Sequence, residues 1–390
     1  MIPQEQNEML TRVGPGTPGG ELLRRYWQPV GCAAELTKEA PIIKVRVLGE
    51  DLVLYRTKSG EYGLITERCP HRLASLVNGR VDENGIRCPY HGWKFDTAGR
   101  CVETPNEPPG SNLKDAVKKQ RAYPVQRLGG MLFAYMGPEP VPALPRWDVL
   151  VWDHGQRWID KHDVLRCNWL QAQENSVDPS HLYWLHGSFG TAHLSETVDG
   201  YQEQHDFIPF EYGIMKQRKT PAKKPAEGFK IDQHPLLFPN ILRHVSRRGP
   251  GQFEHNLQYR IPIDDHHTQV YAVRFEASKD SRMNADADVP VLPYEFYDAA
   301  GKYRLDKVLV QDSMCWESQG SIVDRSQETL GAADRGIVLL RRMLREQIEL
   351  VQKGGTPLGV LAKDRAPAII ELDVINERIG LNTPERRGAA

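Results

Sequence analysis

The sequence predicts an α+β protein in two parts, a small all-β domain within residues 1–136 and a larger domain of antiparallel sheet and helices over 137–390. Three observations carry this. Short apolar strands and glycine turns follow one another from about residue 42 to Tyr135. Four prolines then crowd into Gly137-Pro-Glu-Pro-Val-Pro-Ala-Leu-Pro145, which excludes a regular element and marks a boundary. Beyond it, strand-like and helix-like patterns mix.

Taken in order, residues 8–26 place Met9, Leu10, Val13, Leu22, Leu23 and Tyr26 around Gly14-Pro-Gly-Thr-Pro-Gly-Gly20, the pattern of two short helices split by a turn. Ile43–Val47, Leu52–Tyr55 and Leu132–Tyr135 read as strands. In the second part, strands are predicted at 212–219, 238–246, 253–263 and 267–276, the last two joined as a hairpin through Ile261–His267. The polar stretches 220–229 and 278–293 read as exposed loops. Residues 334–352 form an amphipathic helix with Ile337, Leu340, Leu344, Ile348 and Val351 on one face.

Composition excludes several classes of function. The 390 residues are 40% hydrophobic and 26% charged with a net charge of −1, which offers nothing to nucleic acid or an anionic membrane. No run of apolar residues is long enough to span a bilayer. The N-terminal MIPQEQNEML lacks the basic and apolar regions of a signal peptide, so the expected compartment is the cytoplasm. Six cysteines are too sparse for a disulfide scaffold, and Cys32, Cys101, Cys167 and Cys315 read as small buried side chains.

The other two cysteines belong to Cys69-Pro-His71 and Cys88-Pro-Tyr-His91-Gly92. A structural zinc site pairs like with like, Cys-Cys and then His-His. Here each arm supplies one Cys and one His. Proline stiffens each turn after the Cys, and Gly92 admits close backbone approach. Two equivalent loops clasping one bimetallic unit fit a Rieske [2Fe–2S] cluster, which takes two Cys and two His. Cys69-Pro-His71-Arg72 and Cys88-Pro-Tyr-His91-Gly92-Trp93 resemble the Rieske domain of ring-hydroxylating oxygenases. The resemblance implies that Cys69 and Cys88 hold one iron and that His71 and His91 hold the other, on the side facing an electron partner.

Such a cluster moves single electrons, so a destination is needed. Glu174-Asn-Ser-Val-Asp178-Pro-Ser-His181-Leu-Tyr-Trp-Leu-His186 offers two histidines near an acid, as in sites where two His and one carboxylate hold Fe(II). The five-residue step between the histidines does not share a face of an ideal helix, so the helix must loosen or end there. Two acids are candidates for the third ligand. Asp178 is nearer in sequence. Asp312 lies on an apolar helical stripe with Leu305, Val308, Leu309 and Trp316, where a bare carboxylate is costly unless paired or metal-bound. Glu317 and Asp306 fall on other faces and read as solvated.

Asn175-x-x-Asp178-x-x-His181-x4-His186 resembles the catalytic signature of the same oxygenases, and Gln311-Asp312-x4-Glu317-Ser-Gln-Gly320 resembles its phthalate-dioxygenase-like branch. Leu10-Thr-Arg-Val-Gly-Pro-Gly-Thr-Pro and Leu-Arg-Arg-Tyr26-Trp27-Gln-Pro29 match that branch too. The resemblance implies a helix-grip (START-like) catalytic domain and a mononuclear iron held by His181, His186 and Asp312. It places Asn175 beside that iron. It makes Asp178 a hydrogen-bonded bridge from His181 to a Rieske histidine of a neighbouring subunit, and so implies a homotrimer or a pair of trimers. NADH electrons would arrive through a separate reductase, with flavin and iron–sulfur or with a ferredoxin, since the chain has no dinucleotide fingerprint.

The expected activity is hydroxylation or oxidative O-demethylation of an aromatic, carboxylated substrate. Its pocket should lie on the sheet. Arg218, Arg243, Arg247, Arg248, Arg260 and Arg274 sit on or beside predicted strands, most of them expected to face water and any inward one able to fork onto a carboxylate. Trp184, Phe189, Phe238, His244 and Tyr259 are candidate walls, while His193, His205, His234, His266 and His267 read as surface or turn residues. The rival reading is a Rieske electron carrier with a non-catalytic ligand-binding domain.

Overall fold

The structure, a computed structural model, describes residues 1–187, 204–221, 229–249, 252–284, 288–365 and 369–379. The chain opens with α1 (Gln4–Thr11) and α2 (Pro18–Arg24). Thr17 caps α2, its hydroxyl accepting the Gly20 amide at 3.2 Å, and Pro18 stands where no N–H is needed.

The all-β part contains β1 (Gln28–Cys32), β2 (Ile42–Val47), β3 (Glu50–Arg56), β4 (Tyr62–Thr66), β5 (Arg80–Asp82), β6 (Gly85–Arg87), β7 (Lys94–Phe95), β8 (Cys101–Glu103), a short α3 (Leu113–Ala116), β9 (Ala122–Tyr123), β10 (Val125–Leu128) and β11 (Met131–Ala134). They form three small antiparallel sheets, ordered β1-β11-β10, β2-β3-β4-β9 and β5-β6-β7-β8.

The second part contains α4 (Asp148–Val151), β12 (His154–His162), α5 (Trp169–Asn175), a π-helical turn at Leu182–His186, β13 (Gln204–Phe210), β14 (Gly213–Pro221), β15 (Phe229–Leu237), β16 (Ile241–Gly249), β17 (Gln252–Asp264), β18 (His267–Arg282), β19 (Val291–Tyr294), α6 (Val308–Ser318), α7 (Arg335–Gln352) and β20 (Ile375–Ile379). One large sheet runs β13-β14-β15-β16-β17-β18-β12-β19, with β20 on β15. Its neighbours are antiparallel except β12 and β19. This is the expected α+β architecture, a small β domain beside a gripped antiparallel sheet.

The proline segment carries no helix or strand, as its composition predicts. It does not divide the packing, however. One hydrophobic core passes through Leu10, Leu22, Leu54, Phe133, Leu150, Leu257, Val273, Leu340 and Leu344, fastening the N-terminal helices and β1–β11 to the large sheet and α7. A second core, with Val53, Tyr55, Ile65, Ile86 and Phe95, surrounds Cys69, Cys88 and Trp93.

The structure corrects the strand reading in five places. β12, β13, β15 and β20 stand where no strand is predicted, and 278–293 holds the end of β18 and most of β19. The reason is chemical. Many even-numbered residues of β14–β18 and β12 are polar and meet across the strands: Lys216 lies opposite His234, Arg218 opposite Asp232, His244 opposite Asn256, and Asn256 opposite Arg274. Odd-numbered residues such as Leu257, Tyr259, Val273 and Phe275 join the apolar core. A strand polar on one buried face looks solvated to a pattern built on apolar alternation. No described helix is long and apolar enough to cross a membrane.

Candidate active site

The Cys/His pairs sit on two loops built alike. Cys69 donates its amide to Ala74 O and Leu73 donates to Cys69 O; Cys88 donates to Trp93 O and Gly92 donates to Cys88 O. In each loop the fifth residue adopts positive φ, 61° at Leu73 and 76° at Gly92. Glycine enters that region freely, while leucine pays a steric cost. The thiols of Cys69 and Cys88 are buried, His71 is exposed and His91 is partly so. The His71 ring meets His91 edge-on at 4.5 Å and stacks on Trp93 at 4.5 Å. Burial pushes the Cys69 thiol up to about 12, so a bound cation is what would favour its thiolate. Two buried sulfurs beneath two rim imidazoles fit a Rieske cluster.

The second set of donors converges from distant elements. One ligand atom each from His181, His186 and Asp312 lies within 4.8 Å of the others. Asp312 Oδ1 is 3.6 Å from His181 Nε2 and 3.4 Å from His186 Nε2. The five-residue step is resolved by the π-helical turn, whose wider winding brings both rings to one side. This is the loosening that the spacing demands. Asp312 stands on α6 and is 5% exposed, as its place on the apolar stripe predicts. His186 Nδ1 lies 2.8 Å from Gln311 Oε1, and Gln311 Nε2 donates to Leu305 O at 2.7 Å, which orients the imidazole. Asn175 Nδ2 reaches Asp312 Oδ1 at 3.4 Å. Two imidazoles and one carboxylate at this spacing suit a non-haem iron.

Asp178 stands between α5 and the π turn. Its Oδ1 accepts the Ser180 amide at 2.9 Å, and its Oδ2 is 3.5 Å from His181 Nδ1, a polar contact rather than a made hydrogen bond. Burial alone would raise the Asp178 carboxyl; His181, the Ser180 amide and Lys216 outweigh it and hold it below its ordinary value. The helix behind is locked by Glu174, whose oxygens accept from Arg325 at 2.9 Å and Arg341 at 2.6 Å, while Arg325 also reaches Asn7 of α1 at 2.9 Å.

The polar face of the large sheet forms a buried wall. His162, His234, Asn256, Arg260 and Trp316 carry buried polar atoms without hydrogen-bond partners. Arg260 donates to Gln173 Oε1 at 3.0 Å and to Ser176 Oγ, tying this wall to α5, and the carboxylate of Asp312 is close enough to act on its guanidinium. The wall therefore shares its space with the three converging donors.

Several expected substrate contacts are revised. Arg218, Arg243 and Arg260 do not face water; they are buried. Arg218 pairs with Asp232, Arg243 with Asp148 on the opposite side of the sheet, and Arg274 with Asp160 and Glu254. Arg248 is exposed and pairs with Glu254. The Arg247 side chain, Phe189 and His193 lie outside the described residues. Trp184 is 63% exposed, so in the single chain it is no wall. Phe238 and Tyr259 line a different recess with Trp27 and Phe133, on the apolar side. His244 does belong to the polar wall. His234 is buried there too, its ring tilted against that of His244 with centroids 4.4 Å apart, not at the surface. Glu317 is not solvated: Tyr297 and Tyr303 both donate to it at 2.6 Å. Sequence reasoning missed Lys216, Gln311 and the Glu174 lock. Only the even spacing of Lys216 and Arg218 on one strand could have flagged the first.

A family model described as the Rieske [2Fe-2S] domain matches residues 26–124, and one described as LigXa C-terminal domain like matches 300–376. The chain is 40% identical to the 5,5'-dehydrodivanillate O-demethylase oxygenase subunit of Sphingobium sp., over 95% of this chain and 85% of that one. It is 35% identical to the phenoxybenzoate dioxygenase subunit alpha of Ectopseudomonas oleovorans, over 92% and 88%. Among solved structures, NdmA of Pseudomonas putida CBB5 with caffeine superposes with a TM-score of 0.64 at 22% identity, covering 92% of this chain and 97% of that one. The terminal oxygenase of carbazole 1,9a-dioxygenase from Nocardioides aromaticivorans IC177 gives 0.60 at 19% identity, covering 88% and 96%.

Proposed function

The chain belongs to the Rieske non-haem iron oxygenases as a terminal oxygenase subunit, and from that premise we propose that it acts on an aromatic acid, by hydroxylation or by oxidative removal of an O-methyl group. The observation that carries this reading is the meeting of His181, His186 and Asp312 beside a buried polar wall. The relative named for O-demethylation of a biaryl acid supports the substrate class.

In this reading, residues 1–136 carry the cluster on Cys69, His71, Cys88 and His91, and residues 137–390 carry the mononuclear iron on His181, His186 and Asp312. When bound, the cluster supplies single electrons and the mononuclear iron activates O₂. The chain's own residues do the rest. Gln311 fixes which nitrogen of His186 is free to ligate, and Asn175 steadies Asp312. Arg260 and the wall exclude water and orient the substrate.

Asp178 bridges His181 to a Rieske histidine of a neighbouring subunit. Two features support this. The cluster loops, residues 69–74 and 88–93, and the three iron ligands, on the π turn and α6, stand on separate elements of the chain. Large apolar side chains are also exposed at both ends of the path, Leu73 at 66% and Tyr90 at 57% beside the cluster and Trp184 beside the π turn. A head-to-tail ring, as a homotrimer or a pair of trimers, covers them. A separate reductase delivers NADH electrons, directly or through a ferredoxin.

The test is to count iron and follow O₂. Three irons per subunit are expected. With reductase and NADH, O₂ uptake is expected with phthalates, methoxybenzoates or lignin-derived biaryls, and formaldehyde release marks O-demethylation. Two irons and no substrate-dependent uptake would return the chain to an electron carrier.

A further inference from the structure

Lys216 stands on the polar face of β14, opposite His234. It is 8% exposed, yet its ammonium makes no hydrogen bond or ion pair among the described residues. The other cations of this face are occupied. Arg218 spends its guanidinium on Asp232 at 2.5 Å. Arg274 lies between Asp160 and Glu254. Arg260 gives its terminal nitrogens to the neutral oxygens of Gln173, Ser176 and Gln258, which fixes its place and leaves Nε alone unpartnered.

The groups around Lys216 come from every side of the wall: Arg218 on its own strand, Asp232 on β15, Arg260 on β17 and Asp178 before the π turn act on it, while it acts in turn on His234 of β15 and His244 of β16. The two carboxylates among them are taken, Asp232 by Arg218 and Asp178 by Ser180 and His181. A buried ammonium without a counterion is costly. It is also well suited to receive one, since its three donors rotate freely and no internal partner has to be given up.

We infer that Lys216 is the anion anchor of the substrate cavity, its ammonium taking a carboxylate oxygen of the aromatic acid. This rests on the oxygenase reading of the cavity. Asp178, three residues before His181, is among the charges around Lys216, and Arg260 on the same wall is tied to Gln173 and Ser176 just before Asp178, which puts the anchor on the side of the sheet that the iron ligands border. Burial, then the charge of Arg218, pushes the lysine down to about 8, so it still carries its proton near neutral pH. A carboxylate rather than a phenol fits, because an aromatic acid arrives already charged while a phenol of pKa about 10 would have to lose its proton on entry.

The experiment uses holoenzyme with its full iron complement. Equilibrium binding is measured for phthalate, 4-methoxybenzoate and 5,5'-dehydrodivanillate, each against its methyl ester, in wild type, Lys216→Met, Lys216→Gln and Lys216→Arg. Wild type is expected to prefer an acid to its ester. Both neutral variants are expected to weaken that acid about 10- to 100-fold while leaving the ester within about 3-fold, and Lys216→Arg to recover part of the loss. Iron content and the visible spectrum of the cluster should not change. Equal weakening of acid and ester, or a wild type that shows no preference for any acid, would overturn the anchor. Oxygen uptake with neutral aromatics would then leave the oxygenase reading standing, so the two failures are distinguishable.

Discussion

The two proposed metal centres of this chain are built in opposite ways. The cluster site is local: each loop closes on itself within six residues, and the two loops repeat the same hydrogen bonds around Cys69 and Cys88. The mononuclear site is remote: His181 and His186 on a π turn meet Asp312 on α6, and the elements bringing them together are held by the buried charges of Glu174, Arg325 and Arg341. Donors of the first site reach the surface at His71 and His91, whereas those of the second lie under the sheet and helices. The difference teaches that an electron relay needs an exposed edge on a stiff frame. A site for O₂ and substrate needs enclosure, and enclosure requires long-range packing.

Three variants break or sharpen this comparison. Asp312→Ala should have the largest effect, removing the third iron and abolishing turnover while the cluster's visible absorbance persists; metal analysis beside the spectrum checks it. Loss of the cluster as well would show that the two sites are not independently assembled. Asp178→Asn comes next. It should keep all three irons and slow turnover by roughly 100-fold, the scale of a misplaced reacting path. Single-turnover oxidation of the reduced cluster by O₂ and substrate reads it, and a normal rate would remove Asp178 from the path. Gln311→Leu is the mildest. Without the group that orients His186, iron affinity should fall about 10- to 100-fold, visible as iron lost to a chelator competition that leaves wild type loaded.

The same contrast explains what could be read in advance. The cluster loops are written in consecutive residues, so their chemistry was legible from spacing alone. The step from His181 to His186 announced a departure from α-helical winding, which the π turn supplies. Asp312 was legible as a carboxylate on an apolar stripe. Lys216 was not, because Gly213-Ile-Met-Lys-Gln-Arg-Lys-Thr-Pro221 looks like a solvated edge until its neighbours show that its polar side is covered. Glu317 was misjudged for a related reason: helical periodicity cannot reveal that tyrosines from a preceding loop, Tyr297 and Tyr303, close over it. Gln311 carried no signal of its own, since its role exists only once His186 arrives from 125 residues away.

Along β16 to β18 the large sheet divides its duties by residue parity, with core residues such as Leu257, Tyr259 and Val273 on odd positions and polar residues such as His244, Asn256 and Arg274 on even ones. That separation has a consequence for descent. Substitutions at even positions that hold no buried ion pair, such as His244 and Asn256, are expected to change the polar wall while leaving the core beneath intact. A lineage can therefore vary that wall without first relearning how to fold. A library confined to those positions would search new substrates at little risk to the scaffold, whereas one drawn from the odd positions would mostly sample unfolded chains.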